Sequence, residues 1–269
     1  MKSQIKKLLL LFTFFTISLN SSELDLGIGV GAMYYPDYLG SDHDNSLYIP
    51  YPYISYVSED LEIDGNGVKA DLFNIQNLSL RLSLSGSVPI KSSGVRDGMH
   101  KLDPSIEVGP ALVYTLYDKN GLSLKIDAPI RAVISSDFKG VDYRGYIYDP
   151  KLSIEYDFLD GYNFQLHTGG VFADSRYNNY IYGVGINDVR ADRSFYRGKG
   201  GYSGYKTSTG IEKKFQNLWL GAFVRHYSLT GSSFKSSPLA VKNSAIYGGI
   251  FIAYLFDKSY TDKVKNWLE

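Results

Sequence analysis

The chain has 269 residues with 28 basic and 28 acidic side chains, and this balance argues against a nucleic-acid partner. It contains no cysteine, so disulfides cannot stabilise it. The 24 tyrosines, 14 phenylalanines and 27 glycines are typical of strands and turns. Beyond the N-terminal segment no stretch reaches the roughly 18 apolar residues of a membrane-spanning helix. If the chain spans a membrane, it must therefore do so as a β-barrel.

The N-terminal segment, residues 1–22, is typical of a secretory signal peptide. It reads MKSQIKKLLLLFTFFTISLNSS, with three lysines before an apolar run and small or polar residues after it. The apolar run falls well short of the roughly 20 residues that an anchor helix needs, so we expect cleavage near residues 20–22. Its removal leaves 25 basic and 28 acidic residues, so the mature chain is weakly acidic.

Apolar and polar residues alternate in several stretches, most clearly in residues 77–88, NLSLRLSLSGSV. A period of two belongs to a strand, so one face of each strand is apolar and the other is polar. These stretches match the roughly 9 to 11 residues of a tilted membrane strand, and aromatic residues toward their ends fit girdles at both interfaces. We therefore expect the apolar faces to meet lipid. The other stretches are residues 24–34, 105–117, 122–134 and 146–158.

Loop lengths indicate how the strands connect. Short turns fall at residues 117–121, 158–161 and 214–217. Long polar connections fall at residues 35–46, 89–103, 135–145, 174–204 and 230–243. From residue 77 onward the two kinds alternate, as in barrels whose long loops are extracellular and whose short turns are periplasmic.

The predicted fold is an all-β, antiparallel transmembrane outer-membrane barrel over residues 23–256. The number of strands depends on residues 58–76. This segment contains either one periplasmic connection, which gives ten strands, or two short strands around the turn DGNG, which gives twelve. We favour twelve.

The polar faces of the predicted strands place charged side chains in the lumen. In a small barrel such charges pair and fill the interior more often than they line an open channel, so we favour a filled barrel over a narrow pore. The predicted lumen network has nearly balanced charge and comprises Arg81, Glu107, Lys125, Asp127, Arg131, Asp149, Lys151, Glu155 and Asp157.

The sequence has no motif that meets the requirements of catalysis or of cofactor or metal binding. The run GSDHD contains Ser41, Asp42 and His43, but a catalytic triad is defined by geometry, which neighbours along a loop do not provide. A solvated loop is a better interpretation of this acidic run than a calcium site. GYSGY has Tyr205 where a nucleophile elbow has glycine. We expect a protein that is not an enzyme and that has no cofactor and no metal ion.

The C-terminal segment, residues 257–269, continues past Phe256, an aromatic residue of the kind on which outer-membrane barrels commonly end. Its apolar residues have helical spacing and would form one stripe on a short helix. We predict a periplasmic tail whose stripe binds a partner or the barrel mouth, with a frayed terminus as the alternative. The stripe consists of Tyr260, Val264, Trp267 and Leu268.

Four stretches, in this order, resemble the MipA/OmpV family of outer-membrane proteins, named after the MltA-interacting protein. They are GVGAMYYPDYLGSD at residues 29–42, PYPYISY at 50–56, YNNYIYGVGIND at 177–188 and SSPLAV at 236–241. The resemblance implies an outer-membrane barrel and, from the namesake, a scaffold that brings a murein hydrolase together with a murein synthase. Other members are described as porin-like or adhesive. The family-motif positions are Tyr38, Gly40, Ser41, Tyr182, Gly183, Val184, Ser237 and Pro238.

Two functional hypotheses follow. The first, implied by the resemblance, is a non-enzymatic scaffold that links peptidoglycan synthesis and hydrolysis to the outer membrane. The second is a narrow porin-like channel, or a surface receptor or adhesin. We expect the protein in the outer membrane of a Gram-negative bacterium, in contact with lipid and with lipopolysaccharide, whose phosphates suit the cations of loop 174–204. Those cations are Arg176, Arg190, Arg193, Arg197 and Lys199.

Overall fold

The computed structural model describes residues 23–58, 61–64, 67–87, 94–137, 139–158 and 161–268, and the predicted signal peptide lies outside this part of the chain. The described residues form thirteen strands and two α-helices. The strands are β1 (Glu23–Pro36), β2 (Asp44–Val57), β3 (Leu61–Asp64), β4 (Gly67–Ile75), β5 (Leu78–Ser87), β6 (Ser105–Lys119), β7 (Leu122–Ser136), β8 (Val141–Tyr148), β9 (Lys151–Phe158), β10 (Tyr162–Ala173), β11 (Gly201–Lys214), β12 (Leu218–Ser228) and β13 (Ser244–Leu255). The helices are α1 (Ser175–Tyr182) and α2 (Lys258–Leu268).

The strands close into one antiparallel barrel. Apart from β8 and β9, each strand pairs with the next along the chain, and β13 pairs with β1. β8 and β9 both pair with β7 and with β10, so together they make one crossing of the membrane. Counted once, they give a twelve-stranded barrel. The prediction of twelve strands is confirmed, with β3 and β4 as the two short strands that it placed around DGNG.

The break between β8 and β9 corrects the prediction of one continuous strand over residues 146–158. Asp149 and Pro150 lie between β8 and β9. Pro150 lacks the N–H that a continuous strand would use in its backbone hydrogen bonds. The neighbouring ladders are also irregular, because Arg144 of β8 is an extra residue opposite β7 and Ser203 of β11 is an extra residue opposite β10. The alternation of faces nevertheless continues across it, because Asp149 contacts Arg131 and Lys206 inside the barrel and Lys151, two residues on, lies on the same face.

Side chains alternate between lipid and lumen as the sequence predicts. On β5, Leu78 is exposed on the outside, whereas Arg81 points inward and pairs with Asp71 of β4. On β1, Ile28 and Val30 are 62% and 61% exposed on the outer face. In a bilayer these side chains contact hydrocarbon rather than water. The leucines of residues 77–88 therefore face lipid.

The two ends of the barrel differ in their connections. At the short-turn end, β6 and β7 are joined by a tight turn in which Asn120 and Gly121 have φ values of 54° and 75°. Both Glu23 and the start of α2 also lie at this end. The long-loop end carries the connections between β1 and β2, β5 and β6, β10 and β11, and β12 and β13. Neither described helix is long and apolar enough to span a membrane.

Candidate functional site

Four loops at the long-loop end pack into one hydrophobic core, which we call the cap. From the sequence these loops are predicted only as long polar connections, and this core is not predicted. Each loop contributes apolar side chains that are at least nine-tenths buried. These side chains are Tyr38, Met99, Leu102, Ile181, Tyr182, Val184, Leu229, Phe234, Leu239 and Ala240.

The cap lies across the barrel mouth. In the ring of twelve strands, the β1–β2, β5–β6 and β10–β11 loops emerge about a third of the circumference apart. Loops at such positions can share one core only if they extend over the opening between them. The long-loop end is therefore covered by folded protein rather than by separate solvated loops.

Tyr182, the last residue of α1, lies at the centre of the cap. Its ring stacks on Phe234 with a centroid distance of 3.7 Å and an interplanar angle of 8°. Its hydroxyl donates to the carbonyl of Leu39 at 2.9 Å, and the hydroxyl of Tyr38 donates to the carbonyl of Leu239 at 2.9 Å. Burial raises the pKa of Tyr182 well above its ordinary value. Each phenol therefore joins two loops through a neutral hydrogen bond.

Two buried arginines hold the loops of the cap together. Arg96 donates to the carbonyl of Ile181 at 2.5 Å, and burial lowers its pKa. Arg193, 4% exposed, donates to the carbonyls of Val95 and Asp97 at 2.8 and 3.0 Å. The prediction that Arg193 is available to lipopolysaccharide is therefore wrong, because its guanidinium satisfies carbonyls inside the cap.

Helix α1 supports the cap from the barrel wall. Asp174 caps its N-terminus by accepting from the backbone N–H of Tyr177 at 2.8 Å. Asn178, fully buried, donates to the carbonyl of Lys199 at 2.7 Å. Gly145 of β8 allows the helix to approach, because an added Cβ would lie 2.2 Å from the Asp174 carboxylate. An aspartate followed by apolar residues at helical spacing, here Asp174, Tyr177 and Ile181, is the sequence signal for this capped helix.

The structure brings the family-motif positions together in the cap. Ser237 donates to the carbonyl of Tyr182 at 2.8 Å, and the carbonyl of Gly40, whose φ is 87°, accepts from the backbone N–H of Val241 at 2.8 Å. The hydroxyl of Ser41 accepts from the backbone N–H of His43 at 3.0 Å, which is a local turn and not a catalytic arrangement. The remaining positions lie beside these contacts and are Tyr38, Gly183, Val184 and Pro238.

Six of the nine predicted lumen residues make ion pairs along the inner wall, and we call this network the charge ladder. At its centre Arg131, 7% exposed, donates to Glu107 at 3.0 Å and to Asp149 at 2.7 Å. Lys206 of β11 also contacts Asp149, at 2.6 Å. Sequence alone did not single out Lys206, although its inward position on an alternating strand was available as a signal. The central cation is thus bound by two carboxylates, one of which has a second partner.

The rest of the charge ladder is less tightly paired. Arg81 contacts Asp71 at 2.5 Å, and Lys125 lies 3.7 Å from Glu155. Lys151 also points inward, and its ammonium makes no hydrogen bond or ion pair with the residues that the structure describes. The two remaining predicted carboxylates, Asp127 and Asp157, accept from a hydroxyl and an amide. Asp127 accepts from Ser153 at 2.5 Å, and Asp157 accepts from Asn163 at 2.7 Å.

Aromatic side chains fill the opposite side of the lumen near the short-turn end. Tyr51 stacks on Trp219 at 5.7 Å and lies 4.8 Å from the ring of Phe251. The lumen glycines of β1 and β12 make this packing possible, because a Cβ at Gly31 would lie 2.3 Å from Phe251 and one at Gly221 would lie 2.3 Å from Trp219. These glycines therefore accommodate rings and do not leave open space.

Helix α2 is attached to the rim of the short-turn end. Thr261 is buried, and the ammonium of Lys258 lies 3.8 Å from the Asp25 carboxylate of β1. The ring of Tyr260 contacts Phe256 edge-on at 5.6 Å, yet Tyr260 remains 55% exposed. Val264 is half-buried, and the side chains of Trp267 and Leu268 lie outside the described part. The first turn of the predicted stripe, with Tyr260 exposed and Val264 half-buried, is thus accessible to a partner beside the rim.

A closed antiparallel barrel with an aliphatic outer face and paired charges on its inner wall is an outer-membrane β-barrel. No group of histidine and acidic side chains among the described residues is arranged to hold a metal ion. The family model of MipA, the MltA-interacting protein, matches residues 28–256, so the chain belongs to the MipA family. No curated protein matches the sequence.

Several solved outer-membrane barrels resemble the chain at low sequence identity. The NanC porin shares 9% identity over 86% of this chain and 99% of its own, with a TM-score of 0.39. OmpF of Salmonella typhi, solved with daunomycin, shares 9% over 87% and 97%, with a TM-score of 0.37. The outer membrane protease OmpT of Escherichia coli shares 9% over 91% and 99%, with a TM-score of 0.32.

Proposed function

We propose that this outer-membrane barrel is a non-enzymatic scaffold that holds murein hydrolase and murein synthase at the inner surface of the outer membrane. The description of its family, MltA-interacting protein, supports a murein hydrolase as one partner. The long loops then face outward and the short turns face the periplasm, as is usual for such barrels. In this orientation α2 lies in the periplasm, where murein enzymes act.

The cap and the filled lumen favour a scaffold over an open pore. A solute crossing the barrel would have to pass the core of the cap, where Phe234 and Leu239 are 1% and 0% exposed. It would then meet Arg131, which is held between two carboxylates. Moving these groups breaks packed and charge-assisted contacts, which a permanently open channel does not require.

The observation that carries the proposal is the position of α2. The helix is fixed to the rim by the buried Thr261 and by Lys258, so its orientation is set before a partner arrives. Because Tyr260 is more than half exposed, a partner can bury an aromatic ring that is already ordered. The short turns alone present little surface for such an interaction.

The experiment measures binding of purified MltA to the full-length barrel in lipid nanodiscs. Deletion of residues 258–269 should abolish binding, and Tyr260→Ala should raise Kd by about 10-fold or more, the usual effect of truncating an interface aromatic anchor. Asp262→Ala, a change at an exposed position of the same helix, is the matched control and should leave Kd within a factor of about two.

A heat-dependent shift in gel mobility shows for each variant that the barrel is folded. Unchanged Kd after deletion of residues 258–269 in a folded barrel would exclude α2 as the docking element. Complete absence of MltA binding by the unaltered protein, under conditions in which it is folded, would remove the scaffold proposal itself.

A further inference from the structure

A groove with a volume of about 920 Å³ crosses the lipid-facing wall of five adjacent strands, β11, β12, β13, β1 and β2. Its floor includes the small residues Ala222 and Ala32, while Ile250 and Tyr48 stand beside them, 65% and 82% exposed. Two rows of outward residues in hydrogen-bonded register line it. One row is Lys213, Leu220, Ile252, Val30 and Pro50, and the other is Ile211, Ala222, Ile250, Ala32 and Tyr48.

The groove rises from the short-turn end toward the middle of the barrel. Lys213 lies one residue from the end of β11, whereas Pro50, in the same row, lies seven residues from the end of β2. Five strands spaced about 4.8 Å apart make the groove roughly 19 Å long. One leaflet of the hydrocarbon core is about 15 Å deep. An acyl chain inclined in that leaflet therefore fits the length of the groove.

A second cavity of about 680 Å³ adjoins the groove at the turn between β11 and β12. The two cavities share Lys213, and the second one is lined by the amides of Gln216 and Asn217 together with Phe215, Leu218 and Tyr254. We call it the turn pocket. The ammonium of Lys213 lies 4.0 Å from the ring centroid of Tyr162 and 5.3 Å from that of Phe215. Aromatic rings with a cation mark the level of the lipid headgroups.

We propose that the groove and the turn pocket together bind one anionic glycerophospholipid of the periplasmic leaflet. The acyl chains lie in the apolar groove, the phosphate contacts Lys213, and the headgroup enters the turn pocket. An apolar groove that continues into a pocket with lysine, amide and aromatic side chains at headgroup level matches the change from acyl chains to phosphate and headgroup along this lipid. The proposal depends on the position of the barrel in the outer membrane and not on its function as a scaffold.

The test is native mass spectrometry of the full-length protein equilibrated with equal amounts of phosphatidylglycerol and phosphatidylethanolamine. The unaltered barrel should retain one lipid, predominantly phosphatidylglycerol. Ala222→Trp should fill the groove and lose the bound lipid. Lys213→Gln should keep lipid but lower the preference for phosphatidylglycerol by about fivefold, the effect of one basic residue at an anionic surface. Ala128→Trp, on the outer face of β7, is the matched control and should change neither quantity.

Equal retention of both lipids by the unaltered protein, or undiminished retention by folded Ala222→Trp, would overturn the proposal. Retention of lipopolysaccharide in place of phospholipid would overturn it as well. A mass of two barrels that Ala222→Trp reduces to one would show that the groove binds a second copy of the chain. If Ala222→Trp does not fold, the lipid preference of Lys213→Gln still decides the question.

Discussion

Arg131 of the charge ladder is the lumen residue whose loss should destabilise the barrel most. Its guanidinium is 7% exposed and contacts Glu107 at 3.0 Å and Asp149 at 2.7 Å. Arg131→Met leaves Glu107 without its cation, whereas Asp149 keeps Lys206 at 2.6 Å. Breaking a buried pair costs about 3 to 5 kcal/mol because a charge remains uncompensated. Because Asp149 remains paired, we expect Arg131→Met to lower the free energy of unfolding by about 3 kcal/mol, the lower end of this range.

The assay is urea unfolding of the barrel in lipid vesicles, followed by gel mobility and tryptophan fluorescence. Lys125→Met is the control, because its ammonium lies 3.7 Å from Glu155 and both groups are partly solvated, so it should cost less than about 1 kcal/mol. The double variant Arg131→Met, Glu107→Gln should recover about 1 to 2 kcal/mol, since it removes the stranded charge. Equal losses for Arg131→Met and Lys125→Met, or no recovery in the double variant, would refute this account of the ladder.

Three further outcomes concern the cap. Tyr182→Ala removes a buried ring and should speed proteolysis of residues 185–197, which chain cleavage reports; an unchanged rate would mean that the cap does not depend on this ring. The unaltered barrel should be silent in planar bilayers, because the cap and the paired lumen charges both lie on the path of a solute, whereas steady conductance would show an open path. Burial raises the pKa of Tyr38 and Tyr182, so cap stability should be complete below about pH 10 and fall above it, and proteolysis rates between pH 8 and 11 test this sign.

The barrel could be predicted because its signal is local. Each strand alternates over about ten residues, and lipid on one side with lumen on the other requires that alternation at every position. The inward direction of Arg81, Arg131 and Asp149 followed from the same pattern. The break at Pro150 was visible in the sequence, but a proline also fits an outward position on a continuous strand, as Pro50 and Pro52 do on β2.

The cap could not be predicted because its contacts are remote in sequence. Tyr182 bonds to a carbonyl 143 residues away, and Tyr38 to one 201 residues away. Loops of this kind have no periodicity, so their apolar residues resemble isolated exposed ones until the barrel brings the loop bases together. The sequence does not identify the ion-pair partners in the lumen for the same reason. Alternation predicts that Lys206 points inward, but it does not predict that Lys206 contacts Asp149.

The positions that carry the family resemblance are concentrated at one end of the molecule. Tyr38, Gly40, Tyr182 and Ser237 use their side chains or backbones inside the cap, where they are unavailable to a periplasmic partner. The positions that carry the resemblance therefore lie in the cap that closes the long-loop end of the barrel. In the scaffold that we propose, a murein enzyme contacts the opposite end, where α2 lies beside the short turns. Exchange of cap residues should therefore alter stability and permeability, whereas exchange of residues 257–269 should alter partner binding without opening the barrel.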